Sequence, residues 1–199
     1  MISRASYRSI LSFLAWALVG CGSSPMLHYY TLNADAIAAG GGGGARIAVG
    51  PVALPEVVDR PELVVRAGAN QVVLVEEHRW AESLKNVVPR VIGENLGRLL
   101  GTDQIWAYPQ SPVGQVDYRV SVNIQRFESV PGQTVNIDAL WSIQKPSQKE
   151  VNPRIGRSSV SLPVAGQGYE AIAAAHSRAL AAISHDIAEA IRSEPGSSR

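Results

Sequence analysis

The chain is poor in the residues on which exported or catalytic domains usually lean. Among 199 residues there is one cysteine, and phenylalanine and methionine occur twice each. The four histidines, His28, His78, His176 and His185, are scattered, and none forms the tight pair that metal sites require. His176 and His185 are nine positions apart, about a quarter-turn out of phase on a helix, so they do not converge on one ligand. No Gly-x-Ser-x-Gly elbow is present. The glycine run ending at Gly44 lacks the Lys-Ser/Thr of a phosphate loop and precedes a strand pattern rather than a helix. Charge of one sign is missing too: the formal net charge is +1, which argues against a nucleic-acid partner. Beyond the first twenty residues no apolar run is long enough to span a bilayer. These absences point to a non-enzyme that holds no metal and no cofactor.

What is present begins at the N-terminus. Arg4 and Arg8 precede an apolar stretch from Ile10 to Val19, the layout of an export signal. The stretch is short for a membrane span, which needs about 20 residues. Leu18-Val19-Gly20-Cys21 resembles the lipobox of bacterial lipoproteins. That resemblance implies a diacylglycerol on the Cys21 thiol, cleavage before it and acylation of the new amine. One acyl chain binds marginally, whereas several hold almost permanently. An ordinary export signal with a chance cysteine, or an uncleaved anchor, is the alternative. With Cys21 lipidated no thiol remains, so disulfides, cysteine catalysis and thiolate metal sites fall away, and the fold must rest on its packed core. Removing residues 1–20 leaves 199 − 20 = 179 residues and a charge of +1 − 2 = −1. That length suits one domain. The expected organisation is a signal peptide at 1–20, a lipidated tether at 21–26, a domain at 27–194 and a flexible tail at 195–199.

Within the domain, Leu27–Leu32 is rich in strand formers. Residues 38–44 read as a glycine-rich loop. Arg46–Val49 is a short strand broken by Gly50-Pro51. Glu62–Arg66 and Gln71–Glu76 flank Ala67-Gly68-Ala69-Asn70 as a hairpin. From Glu82 to Leu100 the apolar positions recur at three and four residues, predicting a helix in which Pro89 fits poorly and after which Gly101 is the stop. Gln104–Tyr108 reads as a strand. Asp117–Val130 alternates along its length, turns at Pro131-Gly132 and returns as Thr134–Gln144, with a weaker third strand at Asn152–Leu162. Tyr169–Ile191 is an alanine-rich helix with an apolar stripe. The expected class is α/β in the α+β sense: a single domain with a mixed, mostly antiparallel sheet and two main helices packed on it.

One segment is unusual. Glu76-Glu77-His78-Arg79-Trp80-Ala81-Glu82-Ser83-Leu84 crowds charges around a tryptophan between a strand and a helix. In one reading Trp80 packs beneath a loop while Arg79 pairs with a carboxylate. In the other, Arg79, Trp80 and Glu82 form a partner interface, where Trp and Arg are enriched.

The same residues carry a family resemblance. Tyr29-Tyr30-Thr31-Leu32 follows the lipobox. Ile47 to Val52, Pro55 and Asp59-Arg60-Pro61 come next, then His78 to Leu84, then Asp117-Tyr118-Arg119-Val120 running to Arg126-Phe127-Glu128. His176 to Ser184 with Asp186-Ile187-Ala188 completes the series. Their order and spacing resemble the ABC-type transport auxiliary lipoproteins, the PqiC (YmbA) family, over essentially the whole mature chain. Members usually have proline where this chain has Ser83, and the glycine run before Arg46 is peculiar to this chain. The resemblance implies an outer-membrane, palmitate-bearing lipoprotein that faces the periplasm. It implies a role as non-catalytic auxiliary component of an intermembrane lipid transport system, contributing to membrane integrity. The implied partners are an MCE-domain protein and its inner-membrane partner, with homo-oligomerisation also in view. The rival reading is a lipoprotein that carries a hydrophobic ligand in a cavity of its own; a purely structural envelope lipoprotein is the third.

Overall fold

A computed structural model describes residues 25–38, 44–107, 110, 114–148 and 152–194. The Cys21 lipobox, the glycine run at 39–43 and the tail at 195–199 lie outside the described residues.

Among the described residues, eight strands and two long helices fold together. In chain order they are β1 (His28–Tyr30), β2 (Ile47–Ala53), β3 (Glu62–Gly68), β4 (Gln71–Trp80), α1 (Leu84–Leu100), β5 (Ile105–Ala107), β6 (Tyr118–Val130), β7 (Thr134–Gln144), β8 (Arg154–Pro163) and α2 (Gly168–Arg192). The strands divide between two sheets, ordered β1-β4-β3 and β5-β2-β6-β7-β8. The expected class, one α+β domain with two main helices, is the observed one; the division into two sheets is what the linear pattern did not contain.

In the larger sheet, β6, β7 and β8 form the expected antiparallel meander, while β2 runs parallel to both β5 and β6. The inward positions of β7, from Val135 through Ile137, Ala139 and Trp141 to Ile143, are all buried. They meet α2, whose stripe of Ile172, Ala175, Ala179, Leu180, Ile183 and Ile187 is wholly buried. The alanines in that stripe let the helix approach the sheet closely. Alongside, α1 packs on β2, β5 and α2. It starts at Leu84, two residues later than the pattern predicts, and continues through Pro89. Gly101 ends it in the left-handed region (φ 66°), donating its N–H to the Gly97 carbonyl.

Two irregularities matter. Across Gly50-Pro51 the strand continues to Ala53 instead of breaking; the β2–β6 register shifts between Val49 and Val52 to pass a residue that has no N–H to donate. In β6 the register with β7 shifts between Ile124 and Arg126. One extra residue reverses the in–out alternation. Tyr118, Val120, Val122 and Ile124 are buried before it, and Phe127 and Ser129 after it.

The smaller sheet lies against the second half of β6, through β3, and against α2, through β1. Its strand β4 extends further than the pattern predicts. Residues 77–80, which read as a charged connection, belong to the strand: His28, Tyr29 and Tyr30 of β1 pair in parallel with His78, Arg79 and Trp80. On the other edge Glu62 pairs with Arg79 but Leu63 pairs with Val75. The three residues between, Glu76 to His78, bulge away from β3.

Candidate functional site

The unusual segment sits where the two sheets and α2 meet. β4 arrives there held on both sides, by β1 and by the start of β3. The Trp80 N–H donates to the Pro61 carbonyl at 2.7 Å, and the Ala81 N–H to the Tyr30 carbonyl at 2.8 Å. These bonds turn the indole inward. Trp80 is 7% exposed and meets Phe127 of β6 and His176 of α2 edge-on, with ring centroids 6.5 and 6.4 Å away. Phe127 and His176 stack nearly parallel at 4.0 Å. Ser129 Oγ and His176 Nε2 are 2.8 Å apart.

A serine beside a histidine invites a catalytic reading, and burial excludes it. His176 is fully buried, and burial lowers its pKa to about 3, so the ring stays neutral. Its other ring nitrogen has no hydrogen-bond partner among the described residues, so no carboxylate orients it. The Ser129–His176 pair is a polar pin in an aromatic joint. Nearby, Ser177 accepts a hydrogen bond from the Asn33 N–H at 3.1 Å, and buried Asn95 of α1 accepts from the Asp35 and Ala36 N–H groups at 3.0 and 2.9 Å. These bonds tie the chain after β1 to both helices.

The other two residues of the candidate interface lie on the surface. Arg79 is about one-third exposed, reaches Glu62 at 3.6 Å and donates to the Glu76 carbonyl at 3.0 Å. Glu82 is half exposed and lies 3.7 Å from Arg90, which also pairs with Glu94 at 2.9 Å. Lys85 pairs with Asp59 beside them. The structure therefore separates the three: Arg79 and Glu82 belong to a charged strip, and Trp80 supports that strip from inside the core. An outward-facing Trp80 is corrected by this burial. The physical reason is that Phe127 and His176, from two distant elements, close over the indole.

A second cluster lies at the β1 edge. His28 and His78 stack with centroids 5.0 Å apart, the Tyr30 hydroxyl is 2.7 Å from His78 Nδ1, and Tyr169 covers His78 at 4.0 Å. Burial, and then the neighbouring His28, lowers the His78 pKa. No group of three or more potential metal ligands occurs among the described residues.

Sequence reasoning missed the Ser129–His176 pin and the Asn95 anchor. The first had a faint signal: the alternation of Asp117–Val130 stumbles at Gln125, and a stumble in period predicts a bulge. Asn95 had none, since a polar residue on a helix gives no hint of which backbone it will meet.

The fold and this joint define an α+β domain in which Trp80, Phe127 and His176 bind the two sheets and α2 together. Two solved structures share the fold. One, the crystal structure of an uncharacterised protein, aligns with TM-score 0.66 at 18% identity over 83% of this chain and 99% of its own. The other, protein XCC0632 from Xanthomonas campestris, aligns with TM-score 0.65 at 14% identity over 81% and 92%. No curated protein sequence matches this chain. The family described as "ABC-type transport auxiliary lipoprotein component" matches residues 30–188. The chain belongs to that family: it is an auxiliary lipoprotein of ABC-type transport, with the membrane-anchored envelope location that this implies.

Proposed function

We propose that this chain is a non-catalytic, outer-membrane-anchored subunit of an MCE-type intermembrane lipid transport system, lipidated at Cys21. The observation that carries the proposal is the family match beginning at residue 30, nine residues after the only cysteine in the chain. Gly22, following that cysteine, is not the aspartate that resembles an inner-membrane retention signal. Arg79 and Glu82, on the charged strip above Trp80, are the proposed contacts with the MCE-domain partner.

The carrier reading would need an enclosed apolar cavity. An open cleft of about 770 Å³ is lined by Glu94, Arg98 and Asp103 among others, and these are exposed charges. That lining does not favour an apolar cargo.

The test is metabolic labelling with palmitate followed by membrane fractionation. Wild-type protein takes the label and bands with outer membrane; Cys21→Ser takes none and accumulates as precursor. Equal labelling of the variant, or banding with inner membrane, overturns the anchor or its sorting respectively. The partner arm is crosslinking to the cognate MCE protein, which Glu82→Lys is expected to weaken.

A further inference from the structure

Apolar side chains exposed to water are concentrated at one end of this molecule. The large exposed hydrophobics among the described residues are Met26, Leu27, Tyr29, Ile37, Val57, Val72, Val73, Leu74 and Ile155. Six of these nine belong to β1 and the chain entering it or to the outer part of β4. Val72, Val73 and Leu74 are consecutive and 45, 42 and 41% exposed, so both faces of the strand are bare there. Successive strand residues point to opposite sides, and a strand lying flat on a core would hide one of them. The outer part of β4 is therefore the bare edge, here the arm, of a β3–β4 hairpin whose β3 side stays packed on the core through Leu63 and Val65. An open cleft of about 490 Å³ separates the arm, at Val65 and Val73, from the β6–β7 turn at Val130 and Pro131.

The direction of β1 gives the arm its meaning. Because β1 is parallel to β4, with His28 opposite His78, the residues before His28 approach from the side of the hairpin tip. At about 3.4 Å per residue, Leu74 lies roughly 14 Å and Val72 roughly 20 Å from His78 toward that tip. Cys21 precedes His28 by seven residues, a span of at most about 25 Å. A lipid on Cys21 thus reaches a bilayer lying level with Val72–Leu74, and the tether cannot carry the domain far from it. The rest of the tether is of one kind with the arm, since Met26 is 76% and Leu27 41% exposed. Along β4 the exposed Glu76 and Glu77 lie between these two apolar groups, and exposed apolar surface near a lipid anchor is matched by the apolar–polar boundary of a bilayer.

We propose that the β3–β4 arm is a second membrane contact, in which Val72, Val73 and Leu74 enter the lipid interface beside Met26 and Leu27. This rests on lipidation at Cys21. Together the anchor and the arm orient the domain, with the hairpin tip at the bilayer and the opposite end of the large sheet directed away.

The near-absence of cysteine makes the test simple. Full-length lipoprotein is purified from membranes as wild type, Leu74→Cys, Val72→Cys and Ile155→Cys. Ile155 is an equally apolar control: it is 72% exposed and pairs with Ser142, eight residues along β7 from the turn end that faces the arm. Each is treated with a thiol-reactive fluorophore and reconstituted into phosphatidylcholine vesicles carrying a nitroxide-labelled phosphatidylcholine. The expected result is loss of fluorescence at positions 74 and 72 and none at 155. Wild type should not react. Labelling of wild type shows a free Cys21 thiol and overturns the anchor, and the tether argument with it. An unreactive wild type with unquenched label at 74 and 72 overturns the membrane contact alone. Label that is unquenched by lipid yet shielded from aqueous iodide, with shielding lost on dilution, assigns the arm to a second copy and also overturns the proposal.

Discussion

Trp80 and His176 show how a residue that looks like a surface signature works inside the core. Trp80 touches Phe127 and His176, and its backbone is bonded to Pro61. Trp80→Ala is expected to lower stability by about 3–5 kcal/mol, the range for truncating a buried aromatic, measured by urea denaturation of the soluble domain. His176 supplies a pH dependence. Its folded pKa is lowered to about 3 by burial, below the 6.5 of an exposed imidazole. Between those values the unfolded chain binds the extra proton, so stability is full above 6.5 and falls as the solution is acidified. Down to pH 4 the loss amounts to about 3 kcal/mol. Asp117, held below the ordinary carboxylate range by its Arg46 hydrogen bond, and Asp138, held there by Ser159, act with the same sign. Their losses begin only near and below about pH 4, where a carboxylate in the unfolded chain titrates. Melting curves between pH 7 and pH 4 should therefore flatten in His176→Gln, and an unchanged slope would show that other groups govern the acid response.

At the scale of elements, the large sheet depends on one close approach. An added Cβ at Gly156 of β8 would lie 2.2 Å from the Trp141 ring on β7. Glycine lets that ring lie across β8, where its Nε1–H donates to Ser158 at 3.0 Å and Ser158 donates to Asp186 of α2 at 2.6 Å. The relay satisfies a buried indole N–H and ties helix to sheet. Gly156→Ala must push the ring aside. The expected cost is about 1–3 kcal/mol, typical of overpacking, together with a shift in tryptophan fluorescence. Wild-type stability in that variant would mean the ring moves freely and the relay does not hold it.

For the whole molecule, the charged strip above Trp80 separates docking from folding. Arg79 pairs with Glu62 and Glu82 with Arg90 at the surface, and exposed pairs contribute about 0–1 kcal/mol. Arg79→Ala with Glu82→Lys should leave the melting temperature nearly unchanged yet, if the proposed docking holds, reduce capture of the proposed MCE partner. Normal capture by a folded double variant would move the docking surface elsewhere. Trp80→Ala cannot make this distinction, because it weakens the joint between the sheets.

The elements of this protein were legible from one dimension because their signals are local. The stripe of α2, the alternation of β7 and the glycine after Leu100 each repeat a pattern within a few residues, and burial of one face follows directly. The family signature was legible as well, because order and spacing are linear properties. The β3–β4 hairpin and the β6–β8 meander, which join neighbours in the chain, were legible too; the long-range pairings were not. β1 and β4 pair across fifty residues (28 to 78), and nothing in either strand names its partner. That pairing turned residues 77–80 from a connection into a strand and split the strands into two sheets. The place of Trp80 was undecided for the same reason. A tryptophan among charges has the same sequence whether it faces water or core, and only the arrival of Phe127, shifted inward by a bulge, and of His176, from the last helix, enclosed it. Local patterns determine which residues seek burial; the tertiary fold decides which of them cover one another.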